Sequence, residues 1–248
     1  MFLRGEYSHR ARTCALIAST TAILITGAGS AHAAVSLSAT VSPSNSGTPS
    51  APTPASVNVT AKISGADVGN PDGSAATKSI EAKLPYPLLF NPVAFPACNA
   101  SQVQARSCPK SAKIGSGKVV GGAAGGIVEN LKLTAYNGKG YSLLLLVEGT
   151  TPLRIDSVLR GTIRSGEDNY GMSLLNEVPD NLQQPVPGVF TTVTEFGLKV
   201  DAKKKVNGKT VSYISTAGCS GGKWPFAATV TYRGGKTESA TASAKCSS

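Results

Sequence analysis

Histidine is nearly missing from this 248-residue chain: the two present, His9 and His32, both fall within the first 33 residues. Those 33 residues read as an export signal. Arg4, Arg10 and Arg12 make a basic start, residues 14–26 are short and apolar, and Ala31 and Ala33 place small residues at the two positions a signal peptidase reads. Cleavage after Ala33 leaves a chain without histidine, which removes the usual general base of serine and cysteine hydrolases and the commonest metal ligand. Charge is scarce too, at 15% of residues, against roughly 25% in average soluble proteins. That excludes a disordered polyelectrolyte. Long apolar runs are absent: residues 14–26 and 143–147 both fall short of the roughly 20 residues of a spanning helix, so no membrane span is expected.

What charge there is leans one way. Taking Arg4, Arg10, Arg12 and Glu6 from 24 basic and 14 acidic residues leaves 21 and 13, a net charge of +8. A basic exported protein favours anionic partners such as cell-envelope polymers, acidic glycans or lipid headgroups. Nucleic acid is not expected, because no basic run is interleaved with aromatics; the one dense cluster, Lys203, Lys204 and Lys205, stands before Asn207-Gly208 and reads as a hairpin tip.

Cys98, Cys108, Cys219 and Cys246 remain after the signal. An even count in an exported chain points to disulfides, for which four cysteines allow three pairings. Nearest neighbours are the favoured one: Cys98 with Cys108 closes a small loop, and Cys219 with Cys246 ties the two ends of a C-terminal hairpin. A metal site is not expected, since there is no Cys-x-x-Cys and no histidine, and no cofactor motif stands out.

From Val35 onward the apolar period is two. Val57, Val59, Ala61 and Ile63 alternate with polar residues, as do Ile80, Ala82 and Leu84, and Leu131, Leu133 and Ala135. Asn137-Gly138, Asn207-Gly208 and Gly234-Gly235 read as two-residue hairpin turns. The expected fold is all-β: one antiparallel β-sandwich of about ten to twelve strands over 34–248, with long Pro/Gly-rich loops and a potential internal boundary near 179–188. Residues 42–54, with four prolines, read as a long loop within one sheet. The proline-rich 84–96 cannot be a central strand and is expected to cross between sheets. The glycine-rich 115–126 fits an edge or bulged strand with close backbone approach.

Candidate chemistry is thin. Gly218-Cys-Ser-Gly-Gly222 matches the serine-elbow pattern, but Trp224-Pro225 follows where a helix is needed and no histidine base exists. Ser107 and Lys110, and Ser220 and Lys223, have the Ser-x-x-Lys spacing beside helix breakers. Gly115-Ser-Gly-Lys118 lacks the glycine spacing and the hydroxyl of a phosphate loop. Two carboxylates suffice for glycoside hydrolysis, and Glu129, Glu148, Asp156, Glu177 and Glu195 lie in or near strands. For ligand contact the aromatic pairs to inspect are Tyr136 with Tyr141, and Trp224 with Tyr232.

Phe95-Pro-Ala-Cys98, then Cys108-Pro-Lys-Ser-Ala-Lys-Ile-Gly-Ser-Gly117, then Tyr213-Ile-Ser-Thr and Cys219-Ser-Gly-Gly-Lys-Trp224 give a layout that resembles a group of uncharacterised secreted actinobacterial proteins. The resemblance spans most of the chain after the signal. It implies export, two local disulfides and an all-β build, and carries over no functional residue. The leading expectation is a secreted or cell-wall-associated, non-enzymatic binding or structural protein contacting anionic envelope polymers. The alternative is a secreted glycan hydrolase using two carboxylates. A carrier of a small apolar ligand would demand an internal cavity.

Overall fold

A computed structural model describes residues 34–65 and 68–247; the export-signal expectation lies outside them. In chain order the elements are β1 (Ala34–Ser42), β2 (Thr53–Ser64), β3 (Thr77–Pro85), β4 (Leu88–Phe90), α1 (Ala100–Gln104), β5 (Lys113–Ala123), β6 (Ile127–Gly138), β7 (Ser142–Gly149) and β8 (Ile155–Ser165). There follow β9 (Tyr170–Glu177), α2 (Asp180–Gln183), β10 (Thr191–Val200), β11 (Lys203–Val206), β12 (Lys209–Ser212), β13 (Ile214–Thr216), β14 (Lys223–Tyr232) and β15 (Thr237–Lys245). The fold is all-β and every strand pair is antiparallel.

The hydrogen-bonded path runs β15-β14-β3-β9-β8-β7-β6-β5-β10-β2, with β1 and β13 both on β2, and β4 on β13. It is one continuous sheet, not the two separate sheets of the expected sandwich, and it curls: β1 runs alongside β15. Just past β1, the Ser46 amide donates to the Ser247 carbonyl at 2.7 Å and the Ser247 amide donates to the Ser44 carbonyl at 3.0 Å. Residues 42–54 therefore form an anchored loop between two paired strands. β9 and β10, on either side of 179–188, belong to this same sheet.

One apolar interior results, to which every long strand contributes. Alternation supplies it: on β14, Trp224, Phe226, Ala228, Val230 and Tyr232 are all buried while the residues between them are partly exposed. β7 breaks the alternation, since residues 143–147 are all buried. Leu143, Leu145 and Val147 face the interior, and Leu144 and Leu146 pack outward under Cys98, Val103 and Ala112. The disulfide-closed segment carrying α1 is thus a lid over the outer face of the sheet. Its helix is opened by a reciprocal cap, the Asn99 side chain accepting from the Gln102 amide at 2.8 Å while the Gln102 side chain accepts from the Asn99 amide at 3.0 Å.

The glycine-rich strand is central, not at an edge: β5 lies between β6 and β10. Its register slips by one residue near Gly115 against β6, and near Val193 against β10. A Cβ added at Gly117 would meet the Gly197 carbonyl oxygen at 1.9 Å, so only glycine admits this approach.

Of the three expected turns, Asn207-Gly208 joins β11 to β12 with both residues at positive φ, 49° and 76°. Gly235, at φ 84°, closes the turn before β15. Asn137-Gly138 is not a turn: both residues end β6, and the chain reverses over Lys139, Gly140 and Tyr141. Asn137 is instead a buried knot. Its amide donates to the carbonyls of Pro92 and Phe95, both at 2.9 Å, and its Oδ1 accepts from the Tyr213 hydroxyl at 3.1 Å. Phe90 and Phe95 set their rings edge-on to Tyr213, with centroids at 5.7 and 5.5 Å. The proline-rich crossover from β3 to the β4–β13 end is held here.

Burial raises the Tyr213 phenol well above its ordinary range. A group raised on folding contributes stability in full below its unfolded value, about 10 for tyrosine, and loses it as pH climbs toward the folded one. The melting temperature is expected to fall above about pH 10, less steeply in Tyr213→Phe. That variant, leaving Asn137 Oδ1 unpaired, should cost about 1–3 kcal/mol at pH 7 by denaturant titration, and Asn137→Ala more.

Candidate functional site

Cys98 pairs with Cys108 and Cys219 with Cys246, at Cα separations of 6.0 and 5.8 Å. The first closes the lid over β7; the second joins the turn before β14 to the end of β15. Glycines 221 and 222, both at positive φ, make that turn, and a strand follows rather than a helix. The serine-elbow pattern is therefore a turn.

The aromatic pairs divide. Trp224 and Tyr232 are buried, Trp224 donating from Nε1 to the Gly218 carbonyl at 2.8 Å, so this pair makes no exposed platform. Burial and then Glu238 push the Tyr232 phenol up to about 12. Tyr136 packs against the lid, half-buried, while Tyr141 at the turn beyond β6 is 65% exposed. Alternation alone could have placed Trp224 and Tyr232 inside, because both share parity with Phe226 and Val230.

The acids are dispersed, with one exception. Glu148 and Asp156 face each other across β7 and β8, and Arg106 Nη2 binds both, at 3.0 and 2.9 Å. Like charges directly opposite on a sheet repel, and one guanidinium relieves both while pinning the lid. All three side chains sit on the outer surface, so the pair is clamped to a cation rather than poised across a sugar. Glu195 pairs with Lys118 at 2.8 Å, which holds its carboxyl below the usual range. Glu177 lines an open groove of about 560 Å³ with Asp180, Lys78 and Arg160. Glu129 is buried and faces inward. Among the described residues, no group of three or more His, Cys, Asp or Glu could hold a metal ion, and no helix is long and apolar enough to cross a membrane.

The most concentrated charge is on the β11–β12 hairpin. These strands pair only with each other, Lys204 opposite Val211, Lys205 opposite Thr210 and Val206 opposite Lys209. Lys203, Lys205 and Lys209 are exposed, and Lys204 lies 5.3 Å above the Phe95 ring at the hairpin base. Among the described residues none of these four lysines forms an ion pair, whereas Lys118, Lys132, Lys199 and Lys236 all do.

Comparison with protein-family models, curated proteins and solved structures gives no match. Together the fold and this surface define an antiparallel all-β protein, closed by two disulfides, with a free cationic hairpin.

Each disulfide closes a loop whose entropy is worth about 3 kcal/mol. Reducing agent should lower the melting temperature clearly. Cys98→Ser with Cys108→Ser should reproduce part of that drop and speed amide hydrogen exchange in β7, read by mass spectrometry.

Proposed function

We propose that this is a secreted or cell-wall-associated, non-enzymatic binding protein that engages anionic envelope polymers through the β11–β12 hairpin. The observation that carries the reading is the set of four lysines without acidic partners on a two-stranded element that contributes no strand to the main sheet. Unpaired like charges in one place repel one another, and an anionic polymer is the partner that relieves them. The type I′ turn at Asn207-Gly208 fixes the strands, so little order is lost when they are covered. The two-carboxylate alternative lacks comparable support, because the acids that do meet, Glu148 and Asp156, share Arg106.

The test is retention on purified cell wall, with and without enzymatic removal of its anionic polymers. Retention should fall as salt rises, since exposed charge pairs are screened over about 10 Å at 0.1 M. Replacing Lys203, Lys204, Lys205 and Lys209 by alanine should weaken binding about tenfold at low salt, four exposed contacts at roughly 0.3–0.5 kcal/mol each. The melting temperature should not drop. Retention that ignores salt, or that survives the fourfold variant unchanged, rejects the proposal.

A further inference from the structure

We infer that the interior enclosed by β3 and β5–β10 is a binding site for a small amphiphile, an alkyl amine or alcohol, whose donor end meets Glu129 and Asn176. The inference does not depend on the hairpin. It starts from a cavity of about 90 Å³ whose walls are almost wholly aliphatic, with Leu131, Leu145, Val147 and Ile155 among them. An engineered apolar cavity of about 150 Å³ takes benzene, so this one suits a short alkyl chain and not a large ring system. Ile127 also lines it and is 39% exposed, which marks the side reached from solvent.

Two polar side chains interrupt that wall, and each keeps an atom without a partner. Glu129 is 8% exposed; its Oε2 accepts from the Leu153 amide at 3.0 Å, and its Oε1 accepts from nothing. Asn176 is 3% exposed, and its Oδ1 is likewise unpaired. The neighbouring backbone makes room for both. A Cβ at Gly149 would lie 2.7 Å from Glu129 Oε1, and one at Gly161 would lie 2.5 Å from Asn176 Oδ1. Buried acceptors left open are costly and rare, so a ligand that fills this space should bring hydrogen-bond donors. A fatty acid would set a carboxylate against Glu129. A primary amine or alcohol supplies the donor, and the amine adds charge complementarity.

Gly121 gives the means to test occupancy. It stands opposite Glu129 in the β5–β6 register and lines the cavity, and a Cβ added there would find its nearest neighbour at 3.9 Å. Gly121→Val should therefore fill the space with a residue that strands favour, without lowering the melting temperature. The probes are n-hexylamine, n-hexanol, n-hexane and hexanoate, followed by calorimetry and by protein NMR shifts at the lining residues. Hexylamine and hexanol should bind, at least tenfold more tightly than hexane or hexanoate. Gly121→Val should weaken both at least tenfold, and Glu129→Gln should erase the preference for amine over alcohol. No binding by any probe would leave the cavity to water and overturn the inference. Hexanoate binding as well as hexylamine would overturn it too, as would unchanged affinity in Gly121→Val. An amine preference that survives in Glu129→Gln would remove Glu129 from the site.

Discussion

The amide of Asn137 is the contact on which the closed sheet depends. Between β3 and β4 the chain must leave one part of the sheet and reach another through a segment rich in proline, which cannot donate to a ladder. The carbonyls of that segment still need donors. Asn137 supplies two from its amide while taking the Tyr213 hydroxyl on its oxygen, and its own backbone carbonyl accepts from the Cys98 amide at 2.9 Å. One residue therefore ties together the crossover, the last strands before the C-terminal hairpin, and the first cysteine of the lid. In a low-dielectric interior such a network stiffens when complete and is costly when broken.

The lid follows from the same closure. A curled sheet buries one face for every strand but leaves the other to water. β7 is apolar on both faces, so Leu144 and Leu146 need a cover, and the segment from Cys98 to Cys108 provides it. That segment is too short to hold its shape by helix packing alone. The disulfide, the Asn99–Gln102 cap and the Arg106 clamp hold it at three places, and Arg106 also removes the repulsion between Glu148 and Asp156.

Features written in neighbouring residues were legible in the sequence. Alternation marked the strands; Asn207-Gly208 marked its turn; the nearest-neighbour cysteines are the pairs that meet; and 42–54 joins two strands of one sheet. Features that depend on distant partners were not. Asn137-Gly138 carries the same local signal as Asn207-Gly208, and the difference lies in the carbonyls of Pro92 and Phe95, far away in the chain. Residues 143–147 form a continuous apolar run whose meaning depends on what covers the second face. Trp224 and Tyr232 were candidates for a surface platform because aromatic chemistry alone does not say which side of a strand is in. Glu129 sits among strand residues like any outward acid, and only the register of β5 and β6 turns it toward the interior.

The lysine hairpin and the cavity draw on opposite economies of charge. The hairpin lies outside the main sheet, so its lysines burden nothing but one another, and salt is enough to relieve them. Glu129 is different. A carboxyl buried among aliphatic side chains with one oxygen unpaired opposes folding by more than a typical hydrogen bond returns, and an apolar side chain of similar size would remove that cost. The sheet tolerates it because glycine at 149 leaves the carboxyl its space and the Leu153 amide satisfies half of it. A chain with so few charges overall that nonetheless turns one into its interior, beside an unfilled volume, places its least comfortable atom where a small molecule can reach it.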